Sequence, residues 1–238
     1  AVALLCSNRA EFVEVLLATQ RAGLRLTTVN WHLTADEAGY IVDDCEATAF
    51  VAEARFAAVV EGAAAAAPRA QVRLAVAGSI EGFEDYDTAV AAEPGDDVDD
   101  PALGSQMLYT SGTTGRPKGV FRDEASLATA VMLARAAYRD GNVHLLTGPL
   151  YHAAPQAWAM FGLHLGHALV VPSRWTAEGA LELIGRHRVT YMFMVPTQFK
   201  RLLHLPEATR QAADVSSLQK IVHAAAACPV DVKRQMLD

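Results

Sequence analysis

Three cysteines in 238 residues, Cys6, Cys45 and Cys228, are too few and too far apart for a disulfide framework or a C-x-x-C metal or redox motif. That usage points to a reducing, cytoplasmic setting. No apolar run reaches 18 residues, so the sequence offers no membrane-spanning helix. Positive charge is scarce, with 20 Lys and Arg against 27 Asp and Glu and a net charge of −7. This balance argues against a nucleic-acid or anionic-membrane surface, and it means that an anionic ligand has to be held by a local positive site. There is no G-x-S-x-G elbow and no H-E-x-x-H helix. The acid-rich stretch 93–101 lacks the spacing of an EF-hand loop and reads as a solvated linker. A starting methionine and a signal-peptide charge pattern are also missing. The chain opens inside a strand-like run and stops inside a helix-like one, so both ends look cut, and the expectation is part of a longer protein.

What the chain has in quantity is apolar character, 52% of its residues, enough for a sizeable core. The apolar residues alternate between strand and helix patterns. Strand-like runs fall at 2–6, 24–29, 47–51 and 71–77, and helix-like runs at 9–21, 34–44 and 55–67. Ser7 or Asn8 is placed to cap the first helix, and Thr34-Ala35-Asp36-Glu37 reads as a capping box. The alanine run 63–67 reads as helix, stopped by Pro68. After the linker, strands are expected at 143–147, 168–171, 189–195 and 220–225, with helices over 124–138, around Trp158, and at 177–187 behind Thr176. Such alternation predicts an α/β fold of mostly parallel sheets flanked by helices. The linker divides it into a first α/β subdomain, 1–100, and a second, 101–238.

One stretch carries the chemistry: Tyr109-Thr110-Ser111-Gly112-Thr113-Thr114-Gly115-Arg116-Pro117-Lys118-Gly119-Val120. Glycines let backbone N–H groups converge on an anion, the hydroxyls donate further hydrogen bonds, and Lys118 adds a point charge. It is not a Walker A loop, which needs glycine directly before the lysine and Ser or Thr directly after it, and it is not G-x-G-x-x-G. Residues 110–119 do resemble, at every fixed position, the T-S-G-T-T-G-x-P-K-G phosphate loop of the adenylate-forming enzymes. That superfamily contains the acyl-CoA synthetases, the luciferases and the adenylation domains of peptide synthetases.

Three further segments support the resemblance. Pro149-Leu150-Tyr151-His152 is similar to a second family motif, in which the position of His152 borders the acyl pocket. Met194-Val195-Pro196-Thr197 is similar to a V-P-T/P segment that borders the substrate; it reads equally as a strand end with a proline stop. Residues 222–229, containing His223, Ala224, Ala225 and Ala226, resemble the G-G-A-P-L region beside adenine and acyl group, but with alanines for glycines and Ala227 where proline is expected. Extra methyl groups there would narrow the space. Cys228 reads as structural, and the histidines at 164 and 167 could share a helix face without forming a metal site.

The resemblance implies the large N-terminal domain of an acyl-CoA synthetase. It implies ATP, Mg²⁺ and CoA as cofactors, a carboxylic and by likeness fatty acid as substrate, and no nucleic-acid partner; a homodimer is allowed. Thr110, Ser111, Gly112, Thr113, Thr114, Gly115, Lys118 and Gly119 would bind the ATP phosphates, with Lys118 and Thr114 catalytic. His152, Val195, Thr197, His223, Ala224, Ala225 and Ala226 would line the acyl and adenine pocket. The family's magnesium-binding glutamate and its mobile C-terminal domain with a catalytic lysine would follow Asp238, so this stretch alone is expected to be inactive in thioester formation. Two other readings stay open: adenylation with another acceptor, such as a carrier protein, and a non-catalytic nucleotide-binding module.

Overall fold

The computed structural model describes residues 1–110, 116–122 and 141–237. The loop residues Ser111, Gly112, Thr113, Thr114 and Gly115, and the helix expected over 124–138, lie outside the described residues. The chain forms two compact units, Ala1–Leu127 and Ala128–Asp238. The linker composition points to a division at 100/101, but the strands that follow the linker add to the sheet of the first unit.

The first unit runs β1 (Val2–Leu5), α1 (Ala10–Arg21), β2 (Arg25–Thr28), α2 (Ala35–Asp44), β3 (Ala49–Glu53), α3 (Ala57–Ala66), β4 (Val72–Val76), β5 (Glu84–Asp85), α4 (Tyr86–Ala91), β6 (Ser105–Thr110) and β7 (Lys118–Arg122). Its strands make one sheet in the order β5-β4-β3-β1-β2-β6-β7. Every neighbouring pair is parallel except β6 and β7. All four residues of β1 are buried, as a central strand covered on both faces requires.

Local chemistry explains the helices. Thr34 caps α2 as expected: Glu37 N–H donates to Thr34 Oγ1 at 3.4 Å, and Thr34 N–H donates to the Glu37 carboxylate at 2.9 Å. The alanine run is helical because α3 lies tight against α2. A Cβ on Gly39 would sit 2.8 Å from Ala66 Cβ, and one on Gly62 would sit 2.8 Å from Ala35 Cβ, so only small residues fit this contact. The cap of α1 differs from expectation. Arg9 takes the N-cap position with no side-chain cap. Its guanidinium is held by Glu11 at 2.6 and 2.7 Å, and Ser7 N–H donates instead to buried Glu53 at 2.9 Å. Arg9 and Arg55 also approach the Glu53 carboxylate, at 3.5 and 3.9 Å. A buried carboxylate is tolerated only with such partners. The adjoining Cys6 thiol donates to Glu53 Oε2 at 3.9 Å and is pushed far up, first by burial and then by the charge of Glu53, so it keeps its proton.

The second unit runs β8 (Val143–Leu145), α5 (Ala153–His164), β9 (Ala168–Val170), α6 (Ala177–His187), β10 (Tyr191–Met194), α7 (Pro196–Leu203), α8 (Glu207–Ala212), β11 (Lys220–His223) and α9 (Val230–Gln235). Its four strands are all parallel, in the order β11-β10-β8-β9. β10 is buried throughout. Thr176 caps α6 by accepting from Gly179 N–H at 3.0 Å. The two units together are an α/β architecture of mostly parallel sheets flanked by helices.

His164 and His167 do not share a helix face. His164 ends α5, and Gly166, at φ +76°, turns the chain before β9. His167 is 4% exposed and lies near His144, which is 1% exposed on β8. Burial, and then the neighbouring His167, hold the His144 pKa down at about 4. The folded imidazole is therefore neutral, whereas an unfolded histidine titrates near 6.5. Below that pH the unfolded state takes up a proton that the fold refuses. Stability should fall between pH 6.5 and about 4, by roughly 3 kcal/mol in total. Urea midpoints measured across this range check it. The part due to His144 should vanish in His144→Leu, and an unchanged pH slope in that variant would defeat the assignment.

Candidate functional site

The described ends of the phosphate-loop motif lie on a pair of strands. Thr110 ends β6 and Lys118 begins β7, and the two are antiparallel partners, as are Tyr109 and Gly119. Sequence alone placed Lys118 and Gly119 in the loop, whereas the structure puts them in a strand. β6 runs parallel to β2, so Thr110 stands at the carboxyl edge of the first sheet. Open α/β sheets take their ligands at that edge. Lys118 is exposed. The strand pair is braced by α2. The Tyr109 hydroxyl donates to the Asp44 carboxylate at 2.5 Å, and the Arg116 guanidinium lies 5.2 Å from the Tyr40 ring centre. Burial, and then the bond to Asp44, push the Tyr109 pKa far up, so this hydroxyl keeps its proton and stays a donor. Gly119 faces the side chains of Met107 and Tyr109 across the strand pair, and any Cβ there would collide with the Met107 methyl.

The acyl-pocket candidates gather at the carboxyl edge of the second sheet. Thr147 and Gly148 follow β8, Val195 follows β10, and Ala224 follows β11. His152 is the exposed N-cap residue of α5, its ring centre 4.4 Å from that of Tyr151. Val195 is the half-buried N-cap of α7, and Thr197 is exposed in its first turn. His223 ends β11, in register with Met194, and meets the Phe199 ring edge-on with centres 5.7 Å apart. Ala224, Ala225 and Ala226 are exposed.

Ala225 has a left-handed backbone, φ +67°. The expected family pattern has glycine in this region, and the structure shows why one would suit. A non-glycine residue there costs about 1–2 kcal/mol. Ala225→Gly removes that strain but frees the unfolded chain by about 0.4–1 kcal/mol. The expected net gain is up to about 1 kcal/mol, and Ala225→Val should lose stability. Urea denaturation of the two variants is the check, and a loss in Ala225→Gly would contradict the strain argument.

Gln198 is the site residue that sequence reading missed. Its Nε2 donates to Thr147 O at 2.6 Å, and its Oε1 accepts from Val195 N–H at 3.0 Å. Thr147 Oγ1 stands 3.4 Å from the same Oε1 and donates to the carbonyl of Phe193. One amide thus fastens the segment after β8 to the segment after β10. The only local signal was a glutamine at the third position of α7; its partner 51 residues earlier has no signature in the chain. Among the described residues, no group of three or more His, Cys, Asp or Glu is placed to hold a metal ion, so none is assigned to Mg²⁺.

The sequence pattern of the AMP-binding enzyme family matches residues 1–238. The fatty acid–[acyl-carrier-protein] ligase ScoC of Streptomyces coeruleorubidus is 31% identical over 229 residues, which are 93% of this chain and 43% of that protein. The indoleacetate–CoA ligase of Aromatoleum aromaticum is 30% identical over 244 residues, 99% of this chain and 47% of that protein. The chain thus spans about half the length of the curated relatives it matches. Among solved structures, the amide bond synthetase McbA from Marinactinospora thermotolerans superposes with a TM-score of 0.85 at 23% identity, covering 100% of this chain and 48% of that one. This last likeness is one of fold.

Proposed function

The chain belongs to the AMP-binding enzyme family, and on that premise we propose that the protein activates a carboxylic acid with ATP. The observation that carries this reading is the complete T-S-G-T-T-G-x-P-K-G signature, hung between paired Thr110 and Lys118 at the carboxyl edge of a parallel sheet.

The chemistry follows from charge. A carboxylate is a poor acyl donor because its leaving group would be oxide. A carboxylate oxygen attacks the α-phosphorus of ATP, an O–P bond forms, and the bond to the β-phosphate breaks with release of pyrophosphate. The product is a mixed anhydride, the acyl-adenylate. Negative charge gathers on the departing pyrophosphate. Lys118, Thr110 and the hydroxyls and N–H groups of residues 111–115 are the groups proposed to meet it, with Lys118 and Thr114 acting on the reacting phosphates. Bound Mg²⁺ would supply further neutralisation of phosphate charge. CoA thiolate then displaces AMP, giving the thioester.

The acid proposed is a fatty acid, which fits a pocket edge without an acidic side chain for an ammonium group in 148–155, 194–197 or 222–229. His152, Val195, Thr197, His223 and the alanines 224–226 would border it, with the alanine methyls trimming the space. A carrier-protein thiol in place of CoA is the second reading, favoured by the ScoC relative. We further propose a cytoplasmic enzyme, with this stretch alone unable to make thioester. Among the described residues, no helix is long and apolar enough to cross a membrane.

Carboxylate-dependent ATP–pyrophosphate exchange by the full-length protein tests the reading. Exchange that appears only with an added medium- or long-chain fatty acid supports it. Nucleotide binding without exchange, over fatty and aromatic acids alike, would leave a non-catalytic module. CoA and a phosphopantetheinylated carrier protein, offered in turn, separate the acceptors.

A further inference from the structure

One face of the second sheet leads down from the candidate acyl site. β10 alternates along its length. Met192 and Met194 belong to the core beneath α6 and α7, whereas Tyr191 and Phe193 turn to the opposite face, beneath α5. Val195 keeps an extended backbone, so its side chain falls on the Phe193 face. Val222 on β11 is the register partner of Phe193 and shares that face, half-buried. The column Val195, Phe193, Tyr191 therefore starts at the carboxyl edge and descends into the protein.

Trp158 of α5 closes over this column. Its ring stacks on Phe193, with centres 6.1 Å apart and planes 11° from parallel, and Phe161 meets it edge-on with centres 5.8 Å apart. Phe193 and Tyr191 below it are buried, so the stack rests on a fixed floor. Two lengths place it. Phe193 lies two strand residues below Val195, about 7 Å. Trp158 lies six residues beyond His152, the N-cap of α5, about 9 Å along the helix axis. Between His152 and Trp158 the half-buried positions of α5 are all alanine: Ala153, Ala154 and Ala157. Trp158 is thus the first large ring met on the way down from the edge, and a flat ring clamped between two others makes a stiff wall.

We propose that Trp158 is a specificity-determining residue: it stops the tail of the bound acid below the carboxyl edge of the second sheet and so selects medium-chain over long-chain acids. The inference rests on the proposed placement of the acid beside His152, Val195 and Ala224. An acyl chain that passes Val195 finds apolar surface on Phe193 and Val222, and each methylene buried there adds affinity. A longer tail meets the indole, which can turn aside only by leaving its stack on Phe193. Methylenes beyond that depth stay outside and contribute nothing to binding.

The test compares octanoate with hexadecanoate in carboxylate-dependent ATP–pyrophosphate exchange by the full-length protein. The parent protein should show the higher kcat/KM for octanoate. Trp158→Ala should shift the ratio of the two kcat/KM values toward hexadecanoate by roughly 10–100-fold, the gain from about two to three further buried methylenes. Trp158→Phe keeps a shorter ring on Phe193 and should shift the ratio in the same direction by less. It also keeps the test open if the alanine variant does not fold, which circular dichroism checks. Phe161→Leu disturbs the same aromatic cluster one turn deeper and should leave the ratio unchanged, which separates a stop for the tail from a loss of packing. A parent protein that favours hexadecanoate, or a ratio unmoved in the folded Trp158 variants, would overturn the inference and leave the adenylation reading intact. No exchange with either acid would instead defeat the fatty-acid reading, and this inference with it.

Discussion

Lys118→Ala in the full-length protein should lower carboxylate-dependent ATP–pyrophosphate exchange by roughly 10²–10³-fold, the usual effect of removing one preorganised donor from a developing anion. The structure makes this a clean experiment. Lys118 is exposed at the start of the edge strand β7, its backbone held opposite Thr110 by strand pairing that an alanine can also make. Stability should therefore change by no more than about 0.5 kcal/mol. A large kinetic loss without a loss of fold is what a phosphate-binding lysine predicts. Exchange within about threefold of the parent would remove Lys118 from the chemistry and, with it, the main support for the loop's assigned role. Tyr109→Phe gives a contrasting result. It deletes the bond to Asp44 that braces the strand pair, so its effect should appear mostly as a shift in the ATP KM.

Gln198→Ala should be the most destabilising change at the second sheet's carboxyl edge. It strips the partners from Thr147 O and Val195 N–H, and each of these hydrogen bonds contributes about 1 kcal/mol. The expected loss is about 2–3 kcal/mol, or a Tm lower by about 4–10 °C. Gln198→Glu should fare no better. A carboxylate still accepts from Val195 N–H, but it then presents an oxygen to the Thr147 carbonyl where the amide presented a donor. A simple volume effect would instead leave Gln198→Glu near the parent, and that outcome would refute the fastening role. If the segments 147–152 and 195–197 border the acid as proposed, either variant should also raise the KM for the acid more than that for ATP.

Much of the fold was legible in the chain because it rests on local chemistry. The capping box at Thr34, the threonine cap at Thr176, the alanine helix and the buried strand at 191–194 each follow from residues a few positions apart. The phosphate-loop signature was legible for the same reason, since an anion-gripping turn needs its glycines, hydroxyls and lysine in order. The cap of α1 was misread because Arg9 and Ser7 answer to Glu53, which lies more than 40 residues away.

The sequence by itself determined the alternation of strand and helix, the stretch that carries the T-S-G-T-T-G-x-P-K-G signature, and membership of the AMP-binding enzyme family. Only the tertiary structure decided that Lys118 begins a strand instead of riding in a loop, that β6 and β7 extend the first sheet, and that Ala225 sits in a glycine-like conformation. Only it revealed Gln198 as the tie between two segments. The reason is physical. Caps and turns are set by neighbours along the chain, whereas strand partnering, buried ion pairs and cavities depend on which distant residues packing brings within a few ångströms.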